Sequence, residues 1–213
     1  MKQGVSILFA VVLTVMIFTS CGGGSYQNEV QIGDQVWMTK NLDVSTFRNG
    51  DPIPHAKTDD EWRRAGENKQ PAWCYNDNDP ANGSMYGKLY NWYAVNDSRG
   101  LAPKGYHIPT DSEWTALTDY LGGESAAGIK MKSAIGWYDN GNGTNSIGFL
   151  GLPGGCRGDR GLGSPIGYEG LWWSSTEDYT STAWYLHLYY FNGSVHRYVY
   201  LKECGLSVRC LKD

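Results

Sequence analysis

"GYHIPTDSEWTALTDYLGG", residues 105–123, carries a complete set of helix punctuation. Thr110 is placed to cap the orphan N–H groups of a first turn, and Glu113, three residues on, to return the bond as a capping box. Asp111 sits where the helix dipole favours an anion. Trp114, Leu117 and Leu121 fall at i, i+3 and i+7 on one face with Tyr120 beside them, and Gly122-Gly123 supply a permissive stop. The stretch predicts one amphipathic helix packed on a core, and it holds no residue set that does chemistry.

Strand signals lie on either side of it. "VQIGDQVWM" (residues 30–38) reads as two extended runs about a Gly33-Asp34 turn, and "PAWCYND" (71–77) as another strand. Between them Thr58 and Glu61 frame a second capping box for a short helix over residues 58–65. "ESAAGIKMKS" (124–133) predicts a further short helix, and long glycine-rich loops follow. Loops of that length in a compact domain are functional or are held by something else.

The C-terminal region gives the sharpest local expectation. "AWYLHLYYFNGSVHRYVYL" (183–201) sets Asn192-Gly193 between two alternating runs, the strongest short-range hairpin signal. A two-residue turn pairs Tyr189 with His196, His187 with Tyr198 and Tyr185 with Tyr200 on one face. Leu186, Leu188, Val195 and Val199 then share the opposite, core-facing side. "GLSVRCLKD" (205–213) reads as a closing strand.

The N-terminus reads as a targeting signal. Lys2 opens a basic n-region, an apolar run follows from Val5 to Phe18, and Thr19-Ser20 precede Cys21. The run is short for a bilayer span and fits a cleaved export signal. Cys21 directly after it resembles a bacterial lipobox, with Phe18 where Leu is more usual. We therefore expect a lipoprotein signal peptide over 1–20, lipid on Cys21, a flexible tether over 21–28 and one domain over 29–213. The expected location is the bacterial cell envelope, as an outer-membrane lipoprotein, periplasmic or surface-exposed.

Composition agrees with export. Net charge is −4, or −5 without Lys2, and no block of Lys or Arg occurs, which excludes nucleic acid as an expected partner. Cys74, Cys156, Cys204 and Cys210 remain beyond Cys21, an even number that permits three disulfide connectivities in an oxidising compartment.

Six ordered motifs, "IGDQVWMTKNLD", "AWCYNDNDPANGSMYGKLYNWYAV", "APKGYHIPTDSEWTALTDYLGG", "GLPGGCRG", "LWWSSTEDYTSTAWYLHLYY" and "GLSVRCLKD", resemble the Fibrobacter succinogenes major paralogous domain from about Gln31 to Asp213. That family is similar in turn to the sulfatase-modifying, formylglycine-generating enzymes, whose helix opens with an R-L-P-T-x-x-E-W pattern. The counterpart here is His107 to Trp114. The resemblance implies an α+β fold of C-type-lectin-like, sulfatase-modifying type, with few helices, short antiparallel strands and long glycine-rich loops. Those enzymes hold copper with two cysteines four residues apart. Cys204 lies near the second position, and the first falls around Val199, so the pair of soft thiolates that Cu(I) needs is missing. A degenerate or unrecognised oxidoreductase remains the alternative reading, and no catalytic residue is assigned.

Other chemistry is weakly signalled. "NDNDPANG" (76–83) and "DNGNG" (139–143) make Asp77, Asp79 and Asp139 calcium candidates, yet neither loop fits the twelve-residue pattern, and Asx turns account for both without an ion. No cofactor is expected. The functional expectation is recognition. Tyr185, His187, Tyr189, His196, Tyr198 and Tyr200, with Trp172 and Trp173, are the candidate ligand-binding residues, suited to stacking on a glycan or docking a surface protein, with the membrane engaged through the lipid anchor.

Overall fold

The computed structural model describes residues 28–213; the signal segment, Cys21 and all but the last residue of the tether lie outside them. The architecture is α+β, with short antiparallel strands in open sheets and few helices. β1 (Glu29–Ile32) and β2 (Gln35–Met38) form the expected hairpin, closed by Gly33 at φ +60°. A side chain at Gly33 would be strained by that φ and would also press on the Tyr120 ring, 3.0 Å from where its Cβ would lie.

The quoted helix is α4 (Asp111–Tyr120), and both bonds of its capping box are made. Trp114, Leu117 and Leu121 are buried, whereas Tyr120, expected beside them, points outward and covers Gly33. α1 (Asp59–Glu67) is capped by Thr58, and α5 (Glu124–Met131) follows α4 directly. The strand expected over 71–77 is only β3 (Trp73–Cys74), paired with β4 (Leu89–Tyr90), because the chain turns into a 3₁₀ turn at Asn76–Asn78. A short helix α2 (Pro80–Tyr86) precedes β4, and α3 (Trp92–Val95) and β5 (Tyr106–His107) lie between β4 and α4.

The C-terminal segment joins the sheets to one another. Leu206 bridges Tyr90 and Ser207 bridges Trp172, while β9 (Leu211–Lys212) sits between β2 and β5 in the four-stranded sheet. The closing strand is thus two residues long but locked at several points. Among the described residues, no helix is long and apolar enough to cross a membrane.

The third sheet carries the candidate site. Its strands are β6 (Glu169–Tyr179), β7 (Thr182–Tyr189) and β8 (Val195–Leu201), in that order. One face packs Trp172, Leu186, Leu188 and Val195 against Trp114, Leu117, Ala127 and Met131 of α4 and α5. Toward β6, the other face packs Leu171, Trp173 and Tyr185 with Cys156, Cys204 and Leu206. β8 is the free edge, so this face opens toward it.

His107 ties α4 to the C-terminal end. Its Nδ1 lies 2.9 Å from Asp213 and its Nε2 2.9 Å from Glu113, an arrangement that makes both nitrogens donors to carboxylates. Partial burial lowers the imidazolium's pKa, but the two carboxylates outweigh it and hold it above 6.5. A raised folded-state pKa means that the stabilisation is complete below the unfolded value and is lost as pH rises through the folded one. We predict that stability falls slightly from about pH 6 to pH 8.5, by less than about 1 kcal/mol because solvent screens the cluster, and the melting temperature falls with it. His107→Gln should flatten that slope in buffered thermal melts.

Candidate functional site

Asn192-Gly193 does not form the expected two-residue turn. The ladder pairs Tyr185 with Tyr198, His187 with His196 and Leu188 with Val195, leaving the six residues 189–194 as the connection. Neither Asn192 nor Gly193 has the positive φ that a type I′ turn requires. The physical reason is tertiary. Lys132, itself buried, donates to the carbonyls of Tyr190 and Asn192, and the Ile129 amide donates to that of Gly193. The tip is therefore drawn down onto the end of α5. Burial pushes the Lys132 ammonium down to about 8, while three carbonyls and the Trp137 ring face hold its charge in place.

The register differs from the expected one by two residues, and a shift of two preserves the side-chain alternation. The tyrosines and histidines therefore still share a face, but they are not equivalent. Tyr185 and His187 are buried, at 9% and 2% exposure: Tyr185 packs in the cluster with Cys156 and Cys204, and His187 lies among the rings of Tyr185, Tyr189 and Tyr198 beside Glu169. Tyr189, His196 and Tyr200 are half-buried, and Tyr198 is 47% exposed. On the other side, Leu186, Leu188 and Val195 are fully buried, whereas Val199, expected with them, is exposed near the end of the edge strand.

The result is an aromatic shelf along the edge strand. His196 and Tyr198 stack with their planes 6° apart, and Tyr189 meets His196 edge-on at 5.9 Å. His187 forms part of the floor, its ring 3.8 Å from Tyr189 and its Nε2 3.2 Å from Glu169, although neither ring nitrogen makes an aligned hydrogen bond. Burial raises the phenol pKa values of Tyr185, Tyr189 and Tyr200, so these hydroxyls stay protonated near neutral pH.

Sequence reasoning missed the continuation around the tip. Phe191, 65% exposed, lies 5.0 Å from Tyr189 and 5.3 Å from Tyr190. Tyr190 in turn meets Tyr138 and Tyr168, which stack at 4.5 Å. Glu169, on the same face as Tyr189, adds a carboxylate at the margin. The only sequence signal for these residues was the aromatic excess itself.

The model of the Fibrobacter succinogenes major domain matches residues 30–212. The chain belongs to this family. No curated protein and no solved structure matches it.

In this Fibrobacter succinogenes major domain the remaining candidates fall elsewhere. Trp172 and Trp173 are completely buried, donating their indole N–H groups to Asn41 and to the Tyr90 carbonyl. They are packing residues and present no surface to a ligand. Cys74, Cys156, Cys204 and Cys210 are all free, buried thiols, not disulfide partners, each filling a core position as a small hydrophobe. Burial pushes Cys74 up to about 11 and Cys204 and Cys210 up to about 12, so these sulfurs are thiols rather than thiolates at neutral pH.

Asp79 caps α2 through the Ala81 amide, and Asp77 and Asp139 each occupy left-handed backbone in separate 3₁₀ turns. Among the described residues, no three His, Cys, Asp or Glu side chains converge as metal ligands.

Proposed function

We propose that this Fibrobacter succinogenes major domain is a recognition module that binds carbohydrate on its aromatic shelf. The observation that carries the reading is the row of partly exposed His196, Tyr198 and Tyr200 on the edge strand with Tyr189 at the end of the neighbouring strand, continued by Phe191. Ring faces offer apolar area to the C–H face of a pyranose, and hydroxyl edges offer hydrogen bonds beside it. Two-torsion aromatic side chains on strands lose little entropy on binding. The acidic, cation-poor composition supports a neutral rather than a polyanionic ligand.

A glycan-array screen of the full chain in detergent tests this. Replacing Tyr189 and Tyr198 with Ala should weaken capture about tenfold or more, while the melting temperature falls only slightly, since exposed Tyr198 contributes about 0.5 kcal/mol or less and half-buried Tyr189 about 1 kcal/mol to stability. A matching loss of both quantities would assign the rings to packing.

We read the domain further as a C-type-lectin-like, sulfatase-modifying type of fold held at the cell envelope by lipid on Cys21. The "HIPTDSEW" opening of α4 supports the first part and the apolar run ending at Cys21 the second. Cys21→Ser should shift the protein from the membrane fraction to the soluble fraction. An unmodified Cys21 thiol in the mature chain, seen by mass spectrometry, would exclude the anchor.

A further inference from the structure

A recess that shares no lining residue with the shelf opens between the start of α1, the Asn76–Asn78 turn and the loop over 156–163. It encloses about 260 Å³ and is lined by Asp59, Asp77, Asn78, Cys156, Arg157 and Leu162, with two glycines. Its walls are built tightly. Asp77 and Asn78 lie consecutively in left-handed backbone, at φ 55° and 56°, a conformation that is unfavourable for a non-glycine residue and persists where the surroundings enforce it. Gly161 is at φ +93°, and a Cβ there would meet the Asp59 carboxylate at 2.4 Å, so the loop closes on α1 only with glycine at this position.

Arg157 lies in this lining, 4% exposed. Its Nη2 donates to Asp59, its Nη1 to the Asn78 side-chain oxygen, and the guanidinium lies over the Trp62 ring. Its Nε–H is buried, with no acceptor among the described residues. A guanidinium has five donors, so beyond these two bonds one N–H remains on each Nη.

The charge pattern selects the ligand. Asp59 and Asp77 outnumber the single cation, which works against a phosphate or a carboxylate. A metal ion would need the oxygens of Asp59 and Asn78, which already face a guanidinium. A neutral ligand whose adjacent atoms both donate and accept satisfies both signs at once. We infer that the recess binds a single neutral sugar ring through vicinal hydroxyls, donating to Asp77 and accepting from Arg157. Its volume is below the range for drug-sized ligands and fits one ring. Leu162, 82% exposed at the rim, supplies the apolar contact.

Saturation-transfer NMR on the full chain in detergent, with free glucose, galactose, mannose and N-acetylglucosamine, tests the inference, with calorimetry against inorganic phosphate and Ca²⁺ as controls. At least one hexose should bind with a Kd of about 1–10 mM. Asp77→Gly, which suits the left-handed φ and so keeps the turn, should weaken that binding about tenfold. Leu162→Ser should also weaken it, and Tyr198→Ala should leave it unchanged. The inference is overturned if no hexose binds at about 100 mM, if binding depends on Tyr198 and not on Asp77, or if phosphate or Ca²⁺ binds in place of sugar. Dependence on Tyr198 alone would leave the shelf standing and remove the recess.

Discussion

Asn41→Leu should strongly destabilise the domain, although Asn41 lies in no regular element and far in sequence from its partners. Its side-chain oxygen accepts from the Trp172 indole at 2.8 Å and from Arg209 Nη2 at 2.8 Å, and its amide donates to the Tyr86 carbonyl and to Ser207. Arg209 is completely buried with no carboxylate partner among the described residues, and burial pushes its pKa down to about 9. The guanidinium is held by Asn41, by the carbonyls of Met38, Phe149 and Leu150, and by the Phe149 ring. Removing Asn41 leaves the charged group under-satisfied, at about 1.5–3 kcal/mol, and orphans the Trp172 donor, at about 1–3 kcal/mol. We expect a combined loss of about 3–5 kcal/mol, a large part of a typical domain's stability. For a chain of this size the melting temperature should fall by roughly 10 °C or more. A circular-dichroism melt within about 2 °C of wild type would show that the polar hub does not hold the two sides together.

Trp114→Ala should have a comparable effect through packing alone. The ring is 1% exposed, lies 4.6 Å from Trp37 and 6.1 Å from Phe149, and packs in the cluster with Leu117, Leu186 and Leu211. Truncating a buried Trp costs about 3–5 kcal/mol, the lost transfer energy plus that of the cavity left behind. Thr110→Ala, four residues earlier on the same helix, removes one half of the capping box and should cost only about 1 kcal/mol. Urea titration of both variants gives the ratio. Equal losses would mean that the helix is held by its cap rather than by the face it buries.

These two sites mark the boundary of what the sequence makes legible. α4 is written locally, in a cap, a dipole-compatible acid, a periodic face and a glycine stop, so its position and buried residues follow from a short window. The β1–β2 hairpin is local in the same way. The edge hairpin is only partly local. Its alternation survives because strand parity depends on the pattern, but its register is set by Lys132 and Ile129, sixty residues upstream, which no reading of "FNGS" contains. The same limit hid the burial of Tyr185, which depends on where Cys156 and Cys204 pack. Asn41 with Arg209, and Arg157 with Asp59 and Asn78, gather side chains from segments separated by scores of residues, and neither group has a spacing signature. The cysteines mislead for a different reason. Their even number fits a disulfide framework, but a domain of this size buries enough core to use thiols simply as packing.

The shelf is the central claim, and tyrosine and histidine ring signals during titration with a glycan captured on the array test it most directly. With ring protons labelled selectively, the Tyr189, His196 and Tyr198 resonances should shift together and saturate at one ligand concentration. Those of Tyr90, buried in the core, should stay in place. If a captured glycan saturates the protein while the Tyr189, His196 and Tyr198 signals stay unmoved, the domain binds elsewhere and the shelf is only the edge of a sheet.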